Sequence, residues 1–200
     1  MSELEKLNQE MKRFFAPLWP GEDKPLVFGE GNGEAPALML VGEAPGEQES
    51  ISGRPFVGKA GKNLDAFLHL AGLERAAIYV TNVVKVRPCE KGPTGRIRNR
   101  APNPEEKALF TPFLMREVSL VRPGMIVTLG NVPLQAFLGK GAMVGACHGQ
   151  ARLAPCGVQV FSLYHPASII YRPKLREVYV QDVLTLRDML QDGEKEKKNP

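Results

Sequence analysis

The chain has 200 residues, 43% of them hydrophobic, with a formal net charge of +4. That length carries one full core, and no run of about 18 apolar residues offers a membrane span. The modest positive charge permits a nucleic-acid partner without requiring one.

Residues 2–15 read as a short amphipathic helix, with Leu4, Leu7, Met11 and Phe14 at helical spacing. Its first residues, Met1-Ser2-Glu3-Leu4-Glu5-Lys6, hold no apolar signal-peptide core. Pro17, Pro20 and Gly21 end the helix. Four short apolar segments follow, Ala37–Val41, Ile78–Val84, Met125–Leu129 and Val158–Leu163, each closed by a Gly, Pro, Asn or His cluster. Helical patterns separate them. They cover Gly61–Ala71, Pro104–Leu120 behind an Asn103 cap, Asn131–Leu138 and Arg176–Leu190. Gly139–Gly157 reads as a loop or hairpin before the last strand, and residues 191–200 as a charged, frayed tail beyond a single 1–190 domain. Strands alternating with helices imply an α/β fold: a three-layer α/β/α sandwich around a central, mainly parallel four-stranded sheet. There is no internal repeat.

In such sheets the ligand lies beyond the carboxyl ends of the strands. Those ends read GEAPG, TNVVKVRP, GNVP and YHPASII. The first opens a loop from Gly42 to Gly61 that contains Glu43, Glu47 and Glu49 among glycines and prolines. Glycine lets backbone N–H groups approach a ligand closely. The loop matches neither nucleotide fingerprint, G-x-G-x-x-G or G-x-x-x-x-G-K-[ST]. Gly58-Lys59-Ala60-Gly61, opening a helix, can receive an anion. Taken alone, the loop is equally a tight strand-to-helix connection. His165 precedes Pro166 at a strand end, where an imidazole can donate to a developing anion. His69 and His148 read as ordinary surface or core residues. Asn82 stands in a strand, where Asn is depleted. Its amide suits either neighbouring backbone or the edge of a nucleobase. Lys85–Arg100 holds six basic residues against Glu90, which makes it a solvated surface loop or a phosphate track. Cys89, Cys147 and Cys156 have no C-x-x-C spacing, which argues against a cysteine metal site and for a reduced, cytoplasmic setting.

The segments Gly42-Glu43-Ala44-Pro45-Gly46, Gly53-Arg54-Pro55-Phe56-Val57-Gly58-Lys59-Ala60-Gly61, Thr81-Asn82-Val83-Val84-Lys85 and Tyr164-His165-Pro166-Ala167-Ser168 together resemble the uracil-DNA glycosylase superfamily, nearest its iron–sulfur family 4. The resemblance runs from about Val27 to Leu190 and keeps motif order and spacing. It implies a prokaryotic, nucleoid-associated base-excision enzyme, monomeric and away from membranes, that hydrolyses the N-glycosidic bond of uracil in single- or double-stranded DNA. It implies catalytic roles for Glu43 and His165, with Glu49 a second choice for orienting water. Gly42, Ala44, Phe56 and Asn82 would bind the base. Lys85, Arg87, Arg96, Arg98, Arg100 and Arg172 would hold phosphates, and Ile169 or Ile170 would wedge into the gap left by the base.

Two departures matter. Family 4 holds its cluster with four cysteines; the first pair falls here near Arg13 and Ala16, and the other two positions match Val86 and Thr111. Such clusters need four ligands, usually thiolates, so the expectation is no metal and no cofactor, with apolar packing near Phe14, Phe15, Trp19 and Phe113 instead. A related branch traps its product through a loop histidine, and Arg96–Arg100 has none. The alternatives are another deaminated base, hypoxanthine or xanthine, and an inactive DNA-binding paralogue.

Overall fold

The computed structural model describes residues 1–19, 24–171 and 174–198, without the side chains of 169–171 and 194–198. The first half contains α1 (Glu3–Phe15), β1 (Glu30–Gly31), β2 (Leu38–Gly42), α2 (Glu47–Ser52), α3 (Lys59–Ala71) and β3 (Tyr79–Asn82). A small hairpin of β4 (Cys89–Lys91) and β5 (Ile97–Asn99) leads to α4 (Pro104–Val121) and β6 (Met125–Leu129). Then come α5 (Asn131–Leu138), α6 (Val144–Cys147), β7 (Ala151–Leu153), β8 (Gln159–Leu163), α7 (Pro166–Tyr171) and α8 (Lys174–Lys198).

The main sheet has strand order β1-β3-β2-β6-β8-β7. Its inner four strands are parallel and its two short edge strands antiparallel. The four parallel strands are the apolar segments of the sequence. The edges were missed because Glu30–Gly31 and Ala151–Leu153 carry no apolar run; they form by pairing with β3 and β8. Along β2, Leu38 and Leu40 enter one core while Met39 and Val41 enter the other, since successive strand side chains face opposite ways. On one face α1 and α4 contribute Leu7, Met11, Phe15, Phe110 and Leu114. On the other, α3 and α8 contribute Leu64, Phe67, Tyr179 and Val183. The three-layer sandwich follows.

Chain connectivity reverses about β2. The chain steps from β2 to β3 on one side, then crosses to β6 and β8 on the other. The crevice therefore opens where the loops after β2 and β6 diverge, at the carboxyl ends of the strands. In-register pairing sets Gly42 beside Asn82 and Leu129 beside Leu163.

Three local differences from the sequence reading concern loops. Glu47–Ser52 is a helix whose N-cap is Gly46. Lys85–Arg100 folds into the β4–β5 hairpin. The last helix runs to Lys198, through the segment expected as a tail, because that segment offers helix-favouring Glu and Lys and no proline before Pro200.

Helix α1 begins with a capping box of Ser2 and Glu5 and delivers Phe15 into an aromatic stack. The Phe15 ring lies 4.2 Å from Phe110 and 5.3 Å from Trp19, nearly parallel to both. Phe110 is completely buried. Replacing it by alanine should lower the unfolding free energy by about 3–5 kcal/mol, read from urea denaturation. Phe14, which is 45% exposed, should cost clearly less on the same substitution.

Candidate active site

The site is built on Gly42, at the end of β2. A Cβ there would overlap both Asn82 Oδ1 and the Phe56 ring tip. The amide and the ring therefore meet over a backbone without a side chain, the close approach that only glycine allows. Phe56 itself has φ 53°, a left-handed conformation unusual for a bulky residue. Arg75 holds it there, donating to the carbonyls of Phe56 and Pro55 while pairing with Glu30 at 3.0 Å. Gly61 completes the clamp, since a Cβ would collide with the Phe56 carbonyl as α3 packs against it. Strain of this kind persists only where the surroundings over-determine it, and it concentrates at functional sites.

Glu49 organises the rest of the loop. One carboxylate oxygen accepts from Val57 N at 3.0 Å and Gly58 N at 2.7 Å, and the other from Gly46 N at 3.0 Å. Both oxygens of this buried group thus accept from backbone, and the carboxylate lies beside the N-terminus of α3, where helix dipoles favour negative charge. Three backbone donors make Glu49 a loop staple, and it also lines the cavity of the site. Glu43 differs. Its half-buried carboxylate accepts no hydrogen bond among the described residues, and burial raises its pKa above the usual carboxylate value while the Lys107 charge opposes the shift.

His165 follows β8 and lies beside Gly130 (φ 91°), where an added Cβ would stand 3.4 Å from the His165 Cβ. Ala167 N donates to His165 Nδ1 at 3.2 Å. That leaves the proton of the neutral ring on Nε2. Burial lowers the His165 pKa below its ordinary value, so the ring is a neutral donor near neutrality. Asn63 ties this turn to α3 through the Pro166 carbonyl at 3.3 Å.

These groups share one cavity of about 510 Å³, lined by Ala44, Gly46, Glu47, Gln48, Glu49, Phe56, Gly58, Lys59, Ala60, Asn82, Asn99, His165 and Ala167. It unites Ala44, Phe56, Asn82 and His165 over Gly42. Glu43 is absent from the lining but adjoins Ala44. Asn99 was not anticipated: in sequence it is one residue inside an arginine-rich run, and only the hairpin folds it back. Arg87 fixes it, donating to Asn99 Oδ1 at 2.7 Å and to Glu47 at 3.1 Å.

The basic residues divide. Lys85 is fully buried, so its expected phosphate contact is corrected: the side chain cannot reach solvent. Arg100 pairs with Glu106 through two 2.7 Å bonds and Arg98 with Glu90 at 2.8 Å. Arg96 is exposed on the hairpin. The side chains of Ile169 and Ile170, and Arg172 as a whole, lie outside the described residues.

The residues at the family's cluster positions do not fit an iron–sulfur group. Arg13, Ala16, Val86 and Thr111 supply no thiolate or imidazole, Val86 is buried in the core, and Phe15, next to Ala16, stacks on Phe110 and Trp19. Among the described residues no cluster of His, Cys, Asp or Glu is disposed to hold a metal, and no helix is long and apolar enough to cross a membrane.

Residues 28–186 match the family model described as the uracil DNA glycosylase superfamily. A type-4 uracil-DNA glycosylase of Archaeoglobus fulgidus is 39% identical over 164 residues, covering 78% of this chain and 77% of its own. The type-4 enzyme of Thermotoga maritima is 35% identical over 161 residues, covering 79% of each. The crystal structure of Pedobacter heparinus SMUG2 superimposes with a TM-score of 0.56 at 16% identity, over 80% of this chain and 77% of that one. This last likeness concerns the fold.

Glu49→Gln should destabilise the chain by about 1–3 kcal/mol, because its amide would present N–H to a backbone N–H that needs an acceptor; thermal unfolding reads this. Iron analysis of the purified chain should find no stoichiometric iron, and the sample should be colourless.

Proposed function

This chain belongs to the uracil DNA glycosylase superfamily, and from that premise we propose that it hydrolyses the N-glycosidic bond between uracil and deoxyribose in DNA, leaving an abasic site. The observation that carries the reading is the single cavity in which the Phe56 ring, the Asn82 amide and the His165 imidazole converge. A base inside a duplex cannot be reached by such a cavity, so the nucleotide is extruded before reaction.

In this reading the extruded uracil stacks on Phe56. Asn82 donates to O4 and accepts from N3–H, where cytosine presents the opposite pattern. As the C1′–N1 bond breaks, its electron pair leaves with the base and the sugar becomes cationic. His165 Nε2–H donates to the developing uracil anion, with backbone N–H groups around Ala44 assisting. Donors aimed at developing charge in a site shielded from water are the largest single contribution of this kind. Glu43 faces the sugar cation and orients the water that adds to C1′, then takes its proton. Its lack of another hydrogen-bonding partner supports that role. Arg96 and Arg98 on the hairpin meet phosphates, as do Arg87 and Arg100 where their partners yield, and Ile169 or Ile170 enters the space left in the stack. The protein acts as a monomer in the cytoplasm, on nucleoid DNA.

The direct test is alkaline cleavage of a labelled uracil oligonucleotide after incubation with the protein. Strand scission at uracil is expected. Scission only at hypoxanthine or xanthine would move the specificity, and salt-sensitive binding with no abasic product would make the chain a binder. His165→Ala should slow release by at least about 10²-fold, the loss typical for one such donor. The rate should also fall with acidification through the Glu43 titration, above the ordinary 4.5, because protonation removes the carboxylate that faces the cation. In Glu43→Gln the residual rate should lose that acid limb, whereas an unchanged limb would assign it to another group.

A further inference from the structure

Lys85 lies beneath the cavity with no exposed surface, and each of its ammonium protons has an acceptor. It donates to Glu117 Oε2 at 2.6 Å, to the Asn82 backbone carbonyl at 2.8 Å and to Thr81 Oγ1 at 2.5 Å. Glu117 is equally buried, and also accepts from Tyr79 OH at 2.9 Å and from the Thr81 hydroxyl at 3.2 Å. The chain thus buries an ion pair between the segment just after β3 and the last third of α4. Stability alone does not call for this, since well-packed apolar residues in place of a buried pair are often neutral or stabilising. What the pair does locally is specific. β3 ends at Asn82, and the ammonium grips the carbonyl of that residue. This fixes the peptide plane from which the Asn82 side chain departs toward Phe56.

We propose that Lys85, held by Glu117, is a positioning residue that aims the Asn82 carboxamide at the extruded base. It rests on the uracil reading above and adds a residue that touches neither base nor sugar. Lys85 anchors from below what Gly42 admits from the side. Displacement of a reacting or reading group by about 1 Å can cost 10²-fold in rate, and the Asn82 carboxamide has no hydrogen-bonding partner of its own among the described residues to hold it.

The test is a double-mutant cycle in single-turnover cleavage of a uracil-containing single strand. Lys85→Met/Glu117→Met removes both charges together, so neither is left buried alone. Thermal unfolding is followed in parallel. The pair variant should unfold cooperatively yet cleave about 10²-fold more slowly, and adding Asn82→Ala should cost nothing beyond Asn82→Ala alone. Glu117→Gln, which keeps the shape of the anchor, should show a smaller loss that also vanishes in the Asn82→Ala background. This second variant carries the cycle if the pair variant does not fold. A wild-type rate in these variants, or losses that multiply with that of Asn82→Ala, would overturn the proposal while leaving the uracil reading intact. Absence of cleavage by the unaltered chain would overturn the reading itself, and this proposal with it.

Discussion

The missing side chain of Gly42 is the constraint on which the site depends. Parallel pairing sets Gly42 beside Asn82, and the chain returns through Phe56 to close over the same point. With any Cβ there, ring and amide could not both occupy their places. The sheet contributes the precision. β2 is a central strand with hydrogen-bonded neighbours on both sides, so Gly42 has little freedom to move, and the groups packed on it inherit that rigidity.

Around this point the protein uses buried and half-buried charge to shape backbone. Glu49 gathers three amides from both sides of α2. Arg75 holds the carbonyls on either side of the left-handed Phe56. Lys85 takes the carbonyl of Asn82. Each is an ionised group spent on main-chain geometry, where charge-assisted hydrogen bonds are stronger than neutral ones. The groups assigned to chemistry are left differently. Among the described residues Glu43 has no hydrogen-bonding partner, and the His165 ring is held by a hydrogen bond through Nδ1 alone. Acidic and basic residues near this cavity therefore fall into those that build it and those left available to react, and the hydrogen-bond inventory separates them.

Sequence and structure agree where a residue's role follows from its own strand or helix. The four parallel strands, the start of α4 at Asn103 and the extent of α5 follow from periodicity and capping, which are local. Gly42, Asn82 and His165 stand at strand ends, which are fixed places in a parallel sheet, whereas Phe56 lies in the loop before α3 and is singled out only by the resemblance to the superfamily. The failures share a cause. Lys85 lies in a basic segment and reads as a phosphate contact, but Glu117, 32 residues away, draws it inward. The part Glu49 plays in shaping its loop is not legible, because its three donors come from turns that periodicity does not describe. Asn99 enters the site only because the hairpin folds back, and that register is set by pairing with Cys89. Long-range partners decide such residues, and a linear pattern does not contain them. The aromatic stack was half legible: Phe15 and Trp19 stood near the expected place, while Phe110 was hidden inside the pattern of α4.

The central claim is that an extruded uracil ring occupies the space between Phe56, Asn82 and His165. A crystal structure of the chain with abasic DNA and the released base tests it most directly. Uracil stacked on the ring of residue 56, with O4 and N3 at the amide of residue 82 and the remaining carbonyl at the imidazole of residue 165, is the predicted result. Density for the base elsewhere, with those three side chains facing solvent, would contradict it.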